Sequence, residues 1–263
     1  MMQQIWPAEH VRPLDDDELE RLYTYPLRQR WLAVNFVASA DGAVEVGGLA
    51  RPLSTPPDRK VLQLGSDLAD VLLIGATTAM VEGFRGVHPN RHTLARRRRH
   101  DLADTPPTAV VTTGRSLPPD APVITRARVP TIVLTCASAP EATRRAWQDA
   151  GADVVVAGED TVDLAAAVPA LTGRGLRRID CEGGPRLFGA LTAARLVDEL
   201  RLTVSPLLTA GPAGRIATGP PVRTTHLHLA SAVAEDGTLL LRYLTRPDRP
   251  PRPGRVVDDA DDT

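Results

Sequence analysis

Apolar residues along this chain fall into short, nearly unbroken runs separated by longer amphipathic stretches. "WLAVNFVAS" (31–39), "ADVLLIG" (69–75), "TAVVTT" (108–113), "TIVLT" (131–135), "ADVVVA" (152–157) and "GLRRIDC" (175–181) read as strands, most of them apolar on both faces. The stretches between them predict helices over 57–69, from Thr78, over 140–150, over 161–172 and from Pro185 to Ala194. Such alternation implies an α/β fold with a mostly parallel sheet covered by helices on both sides. Two later runs, 198–209 and 238–245, have no helix between them and are expected to form antiparallel edge strands. Residues 1–29 read as an N-terminal arm with one short helix, whose first turn carries Asp15 to Asp17 and whose apolar edge is Leu19 and Leu22. Residues 30–246 are then a single catalytic-sized domain, and 247–263, rich in Pro and charge, a disordered tail.

Composition narrows the chemistry. With 43% hydrophobic and 24% charged residues and a formal net charge of -1, the 263 residues suit an ordinary compact domain with no obligatory nucleic-acid partner. Lys60 is the only lysine and sits in a polar run, which disfavours Schiff-base chemistry. Cys136 and Cys181, the only cysteines, build neither a disulfide framework nor a zinc site, and both are expected to be reduced and buried. His88 with His92, and His226 with His228, lack a nearby third ligand, so no metal is expected. "ARRRRH" (95–100) reads as a solvated loop; without aromatic residues for base stacking, nucleic acid is the weaker alternative and a ligand phosphate another. No apolar run reaches membrane-spanning length and the N-terminus lacks a signal-peptide core, so the expected address is cytoplasmic.

No Walker A loop, Gly-x-Ser-x-Gly elbow, Gly-x-Gly-x-x-Gly or His-Glu-x-x-His occurs. Candidate chemistry lies instead in the turns that follow strands, where open α/β sheets bind ligands: "VASADG", "IGATTAMVEGF", "TTGR" and "CEGGPRLFG". In the last, Gly183 and Gly184 leave room for a ligand, Pro185 suits a first helical turn, and Gly189 suits close packing on the sheet. Free N–H groups at that helix start favour phosphate. In "TTGR", Thr112, Thr113 and Arg115 suit a 2′-phosphate, and two such turns on one sheet suggest a dinucleotide.

"NFVASADG", "DVLLIGATTAMVEGFRG" and "RGLRRIDCEGGPRLFGALTAARLVDELRLTVSPLLTAG", in this order and spacing, resemble the pyrimidine reductase family of riboflavin biosynthesis, in its stand-alone actinobacterial form. The resemblance covers roughly 30–245. It implies a dihydrofolate-reductase-like three-layer sandwich and a homodimer joined through the late antiparallel strands. It also implies NADPH-dependent reduction of a ribosylaminopyrimidine phosphate, ribosyl to ribityl. The implied cofactor contacts are Ala38, Gly75, Thr78, Glu82, Thr113, Gly114, Arg115, and the run Gly183, Gly184, Pro185, Arg186 and Leu187. Glu82 stands where many members have Asp. Glu182 matches the family's substrate-side acid, and it and Asp41 are the candidates for fixing substrate or managing protons; Asp41 equally suits an Asp-Gly turn that only shapes its loop. Ala50, Pro52, Ser66 and Pro89 stand where bifunctional members have Ser, Trp and phosphate-binding Arg, leaving Arg51, Arg59, Arg85 or Arg91 to replace them. No deaminase signature precedes Trp31, so only the reductase step is expected. Two other readings are reduction of dihydrofolate or another heterocycle on the same fold, and a nucleotide-binding sensor or nucleic-acid-associated protein using Arg96 to Arg99.

Overall fold

A computed structural model describes residues 1–26 and 29–246. The strands are β1 (Gln3–Trp6), β2 (Arg12–Pro13), β3 (Trp31–Ser39), β4 (Val71–Gly75), β5 (Thr108–Val111), β6 (Ile132–Thr135), β7 (Asp153–Val156), β8 (Arg178–Cys181), β9 (Glu199–Ser205), β10 (His228–Glu235) and β11 (Thr238–Leu244). The helices are α1 (Asp16–Tyr23), α2 (Pro56–Asp67), α3 (Ala76–Val81), α4 (Arg91–Arg99), α5 (Pro122–Thr125), α6 (Glu141–Asp149), α7 (Leu164–Thr172) and α8 (Pro185–Ala193). Among the described residues all strands join one sheet in the order β2-β1-β10-β11-β9-β3-β8-β4-β5-β6-β7. From β9 to β7 the pairings are parallel, and from β9 through β11, β10 and β1 to β2 they are antiparallel. The expected α/β three-layer sandwich, mostly parallel with antiparallel strands from the C-terminal part, is the observed fold.

Strand alternation divides the core. Leu32 and Val34 of β3 face α7 and α8, with Leu171, Phe188 and Leu191. Trp31 and Ala33 face the other way, onto α1 and α2, with Leu19, Val61 and Leu64. Farther along that face, Trp147 of α6 is fully buried with Val110 and Val133 and donates Nε1–H to the Leu117 carbonyl at 3.0 Å. Each fully buried aliphatic side chain contributes about 1.5–3 kcal/mol relative to exposure, so these layers hold the sheet rigid under its strand ends. Cys136 and Cys181 are buried free thiols.

Three expectations change. The arm supplies not only α1, with its Asp15–Glu18 capping box, but also β1 and β2, which pair outside β10. The C-terminal strands are therefore interior, and the two-residue β2 is the exposed edge on that side; the edge through which dimerisation was expected is already covered. The segment 95–100 is not a solvated loop but lies in and beyond α4, capped by Asn90, whose side chain accepts from His92 N at 2.8 Å and Thr93 N at 3.0 Å. Arginine is a good helix former, but four in a row hide the periodicity that sequence patterns rely on. Arg97 is completely buried and caps the end of α2: its Nη1 donates to the carbonyls of Ser66, Asp67 and Ala69 at 3.2, 3.0 and 2.9 Å, while Nε donates to Ala103 at 2.6 Å. Arg96 bridges Glu20 and Asp67, and Arg99 and His100 also reach Glu20, whose carboxyl they hold at about 2 against its own burial. The run fastens α4 to α1 and α2, which removes the basis for a nucleic-acid surface at Arg96 to Arg99. The tail 247–263 lies outside the described residues. Among the described residues no helix is long and apolar enough to cross a membrane, and no cluster of three His, Cys, Asp or Glu is placed to hold a metal.

Arg97→Ala removes the cap on α2 and takes a donor from the carbonyls of Ser66, Asp67, Ala69 and Ala103, and is expected to cost about 3 kcal/mol in urea unfolding. Arg98→Ala, which loses only an exposed pair with Asp104, should leave the urea midpoint essentially unchanged.

Candidate functional site at the end of strand β8

β8 lies between β3 and β4. Its pairing with β4 runs on past its last residue: Glu182 N donates to Leu73 O at 3.0 Å, and Gly75 N donates to Gly183 O at 2.9 Å. These bonds place the "EGGP" turn directly over α3. Gly183 has φ +91°, a conformation suited to glycine, and a Cβ there would lie 3.2 Å from Phe36 Cζ. Gly184 has an ordinary φ of -85°, but a Cβ would collide with Thr78 Oγ1. The Gly183–Gly184 peptide is cis. The space these glycines leave is thus taken by Phe36 and Thr78, which need it to approach the turn. Gly189 is likewise required, but by the Thr218 carbonyl of a loop crossing α8, where Thr218 N donates to Pro185 O at 3.0 Å, rather than by packing on the sheet. Gly184 is the N-cap of α8 and Pro185 its first residue, so no side chain caps the first turn and its donors remain for an anion.

In front of the turn lies a cavity of about 500 Å³. Phe36, Thr78, Glu82, Glu182, Gly184 and Pro185 form one side; Ala50, Arg51, Ser54 and Arg59 form another; Asn35, Arg201 and Thr203 form the inner wall. The Glu182 carboxyl is partly accessible from this cavity and has no hydrogen-bond or ion-pair partner among the described residues. Burial first, and then the neighbouring Asp180 carboxylate, push it up to about 8. At neutral pH Glu182 therefore carries its proton, as a general acid must.

Of the remaining expected catalytic and cofactor residues only Thr78 and Glu82 line this cavity. Thr78 touches Gly184, and Gly75 backs the turn. Glu82 Oε1 accepts from Ala50 N at 3.1 Å, tying α3 to the loop before α2. Thr113 and Arg115 are exposed beyond β5. Gly114 has φ +93° and its missing Cβ would meet Ala139 and Pro140 at 3.3 Å, so glycine is needed for this turn to pass them. Arg186 is exposed, whereas the Leu187 side chain belongs to the core and only its main chain can meet a cofactor. Ala38 and Asp41 border a second cavity of about 420 Å³ and not the one containing Glu182. Asp41 accepts from Ser39 Oγ, from Ala210 N at 2.8 Å and from Thr209 N at 3.2 Å. With Ser39 the leading donor, these bonds hold its carboxyl down at about 2. It is an ionised loop fastener. Of the four arginines proposed to replace the family's phosphate-binding pair, Arg51 and Arg59 border the main cavity and Arg85 and Arg91 do not. Ser66 and Pro89 are buried away from it.

A family model described as the RibD C-terminal domain matches residues 30–241. The chain belongs to that family. The RibD C-terminal domain here is similar to two proteins named 2,5-diamino-6-ribosylamino-4(3H)-pyrimidinone 5′-phosphate reductase. That of Archaeoglobus fulgidus is 28% identical over 182 residues, covering 69% of this chain and 82% of the relative. That of Methanothermobacter thermautotrophicus is 30% identical over 185 residues, covering 69% and 80%. A pyrimidine reductase-like protein from Corynebacterium diphtheriae shares the fold, with a TM-score of 0.74 at 22% identity over 86% of this chain and 98% of that one.

In this RibD C-terminal domain, Asn35 and Arg201 are the cavity residues that sequence reasoning passed over. A signal existed for Asn35, a polar residue inside the otherwise apolar run "WLAVNFV", where burial without partners is costly; Arg201 lies in "ELRLTVS", whose mixture of polar and apolar residues gives no such contrast. Two outcomes test the site. Gly184→Ala should destabilise the protein by about 1–3 kcal/mol through overpacking against Thr78, and combination with Thr78→Ala should recover most of that in a thermal-unfolding double-mutant cycle. Glu182 binds more protons folded than unfolded between its ordinary value of 4.5 and about 8, so it lowers stability as pH rises through that window. Glu182→Gln should remove this part of the pH dependence, leaving the variant relatively more stable above pH 8 in denaturant titrations.

Proposed function

We propose that this chain reduces the ribosyl group of a ribosylaminopyrimidine phosphate to ribityl, with NADPH as hydride donor and Glu182 as the group that supplies the proton. The observation that carries the reading is a carboxyl at the strand end, without a hydrogen-bond partner among the described residues, facing a cavity large enough for a reduced nicotinamide beside a pyrimidine ring. Reduced nicotinamide, when bound, supplies the hydride to the ribosyl carbon. The residues present suit such a cofactor: the uncapped first turn of α8 for the pyrophosphate, and exposed Thr113 and Arg115 beyond β5 for the 2′-phosphate that distinguishes NADPH. Arg51 and Arg59 take the substrate phosphate, and Arg59 is already braced by donation from Nη1 to Ser54 O at 2.6 Å. Glu182 gives its proton to the heteroatom released as the sugar ring opens. Asp41, ionised and bonded to three loop donors, has no proton to give and shapes the loop after β3. The same reading places the enzyme in the cytoplasm and as a homodimer, the latter supported by exposed Leu207, Leu208, Val222 and Leu227 on the segment between β9 and β10.

NADPH oxidation should accelerate with the ribosylaminopyrimidine phosphate and not with dihydrofolate; the reverse preference would overturn the substrate assignment. Glu182→Gln should lower kcat by about 10²–10⁴-fold. Because the protonated form is the active one, wild-type kcat should fall as pH rises through about 8, while Asp41→Asn should lower thermal stability without moving that pH limb.

A further inference from the structure

Asp180 and Glu182 are two residues apart, so their side chains lie on one face of β8, while Cys181 between them points into the core beneath α8. Asp180 is completely buried. Its Oδ1 accepts from Tyr25 Oη at 2.9 Å and Asn35 Nδ2 at 2.5 Å, and Arg201 Nη1 lies 3.8 Å away. Its Oδ2 has no hydrogen-bond partner. Arg201 is committed elsewhere: Nε donates to Glu199 at 2.9 Å, Nη2 to Tyr23 O at 3.2 Å, and the guanidinium stacks 4.6 Å from the Tyr25 ring centroid. Glu199 also accepts from Arg242 Nε at 2.7 Å and Trp31 Nε1 at 2.8 Å. Two carboxylates and two guanidinia are thus buried together, with Asp180 the least neutralised of them and nearest to Glu182 in sequence.

We propose that Asp180, caged by Tyr25, Asn35 and Arg201, is a positioning residue whose fixed negative charge makes Glu182 retain its proton. This rests on the role of Glu182 proposed above. The charged groups facing Glu182 across the cavity are Glu45 and Arg51 from the loop after β3, Asp58 and Arg59 from α2, Glu82 at the end of α3 and Arg201 from β9. None of these outweighs the charge on its own strand: after burial, Asp180 is what raises Glu182. The cage keeps that charge in place. Burial drives Asp180 upward, but Arg201, Tyr25 and Asn35 oppose this and hold it at about 6, so that it is ionised at neutral pH. The site therefore uses two acids with different tasks: at neutral pH the buried one holds the charge, and the other, exposed to the cavity, holds the proton.

Carbon-13 NMR titration of the full chain labelled at glutamate carboxyls, with the Glu182 signal assigned by its loss in Glu182→Gln, reads this without substrate. In Asp180→Asn the Glu182 midpoint should fall by on the order of one pH unit. Tyr25→Phe, which removes a donor and lets Asp180 protonate more readily, should lower it in the same direction by less; this variant decides the matter if Asp180→Asn does not fold. An unchanged midpoint in a folded variant overturns the proposal. The high-pH limb of kcat/KM should move down with the midpoint; a lower kcat at every pH with the limb unmoved would mark Asp180 as merely structural and also overturn it. A shifted midpoint in a protein that turns over no ribosylaminopyrimidine phosphate would sink the substrate assignment and leave the pairing of the two acids standing.

Discussion

Two main-chain hydrogen bonds, from Glu182 N to Leu73 O and from Gly75 N to Gly183 O, extend the β4–β8 pairing beyond the strands themselves. Everything at the site depends on them. They fix the turn after β8 against the start of α3, which sets Glu182 in the cavity wall, brings Thr78 against Gly184, and starts α8 with its amide groups toward the same opening. A parallel sheet makes this possible, because adjacent strands end on the same side and their turns converge there.

The electrostatics follow from the same placement. β8 sits between β3 and β4 and is covered by α2 and the arm, which removes Asp180 from water and leaves Glu182 only partly accessible. Burial raises Asp180 and Glu182 alike, yet their surroundings separate them: Asp180 has Tyr25, Asn35 and Arg201, and Glu182 faces an open cavity with no partner among the described residues. The arginines meet opposite fates for the same reason. Arg96, Arg97, Arg201 and Arg242 are consumed in fastening elements together, whereas Arg51 and Arg59 border the cavity and Arg115 lies exposed beyond β5. A count of basic residues says nothing of this division.

The chain belongs to the RibD C-terminal domain family, and its candidate site is built from strand ends. By the resemblance Ala50, Pro52, Ser66 and Pro89 stand where bifunctional members have other residues, and the structure places these positions differently. Ala50 is at the cavity, held by Glu82 through its main chain, while Ser66 and Pro89 are buried elsewhere. The Glu82 carboxylate reaches that loop directly.

By itself the sequence determined the α/β class, eight of the strands, the helix start at Pro185 and the importance of "EGGP", because apolar runs, period and glycine–proline punctuation are local properties. It also marked Glu182, though only through likeness to a family. What tertiary structure alone decided was which residues share a surface. Asp41 and Glu182 looked like a pair and border separate cavities; Arg96 to Arg99 looked solvated and are mostly engaged with α1 and α2; β1, β2 and β10 are strands because partners exist for them, not because their own residues insist on it. The physical reason is common to all three. Hydrogen-bond partners, charge neighbours and burial come mostly from residues distant in the chain, as Tyr25, Asn35 and Arg201 do around Asp180.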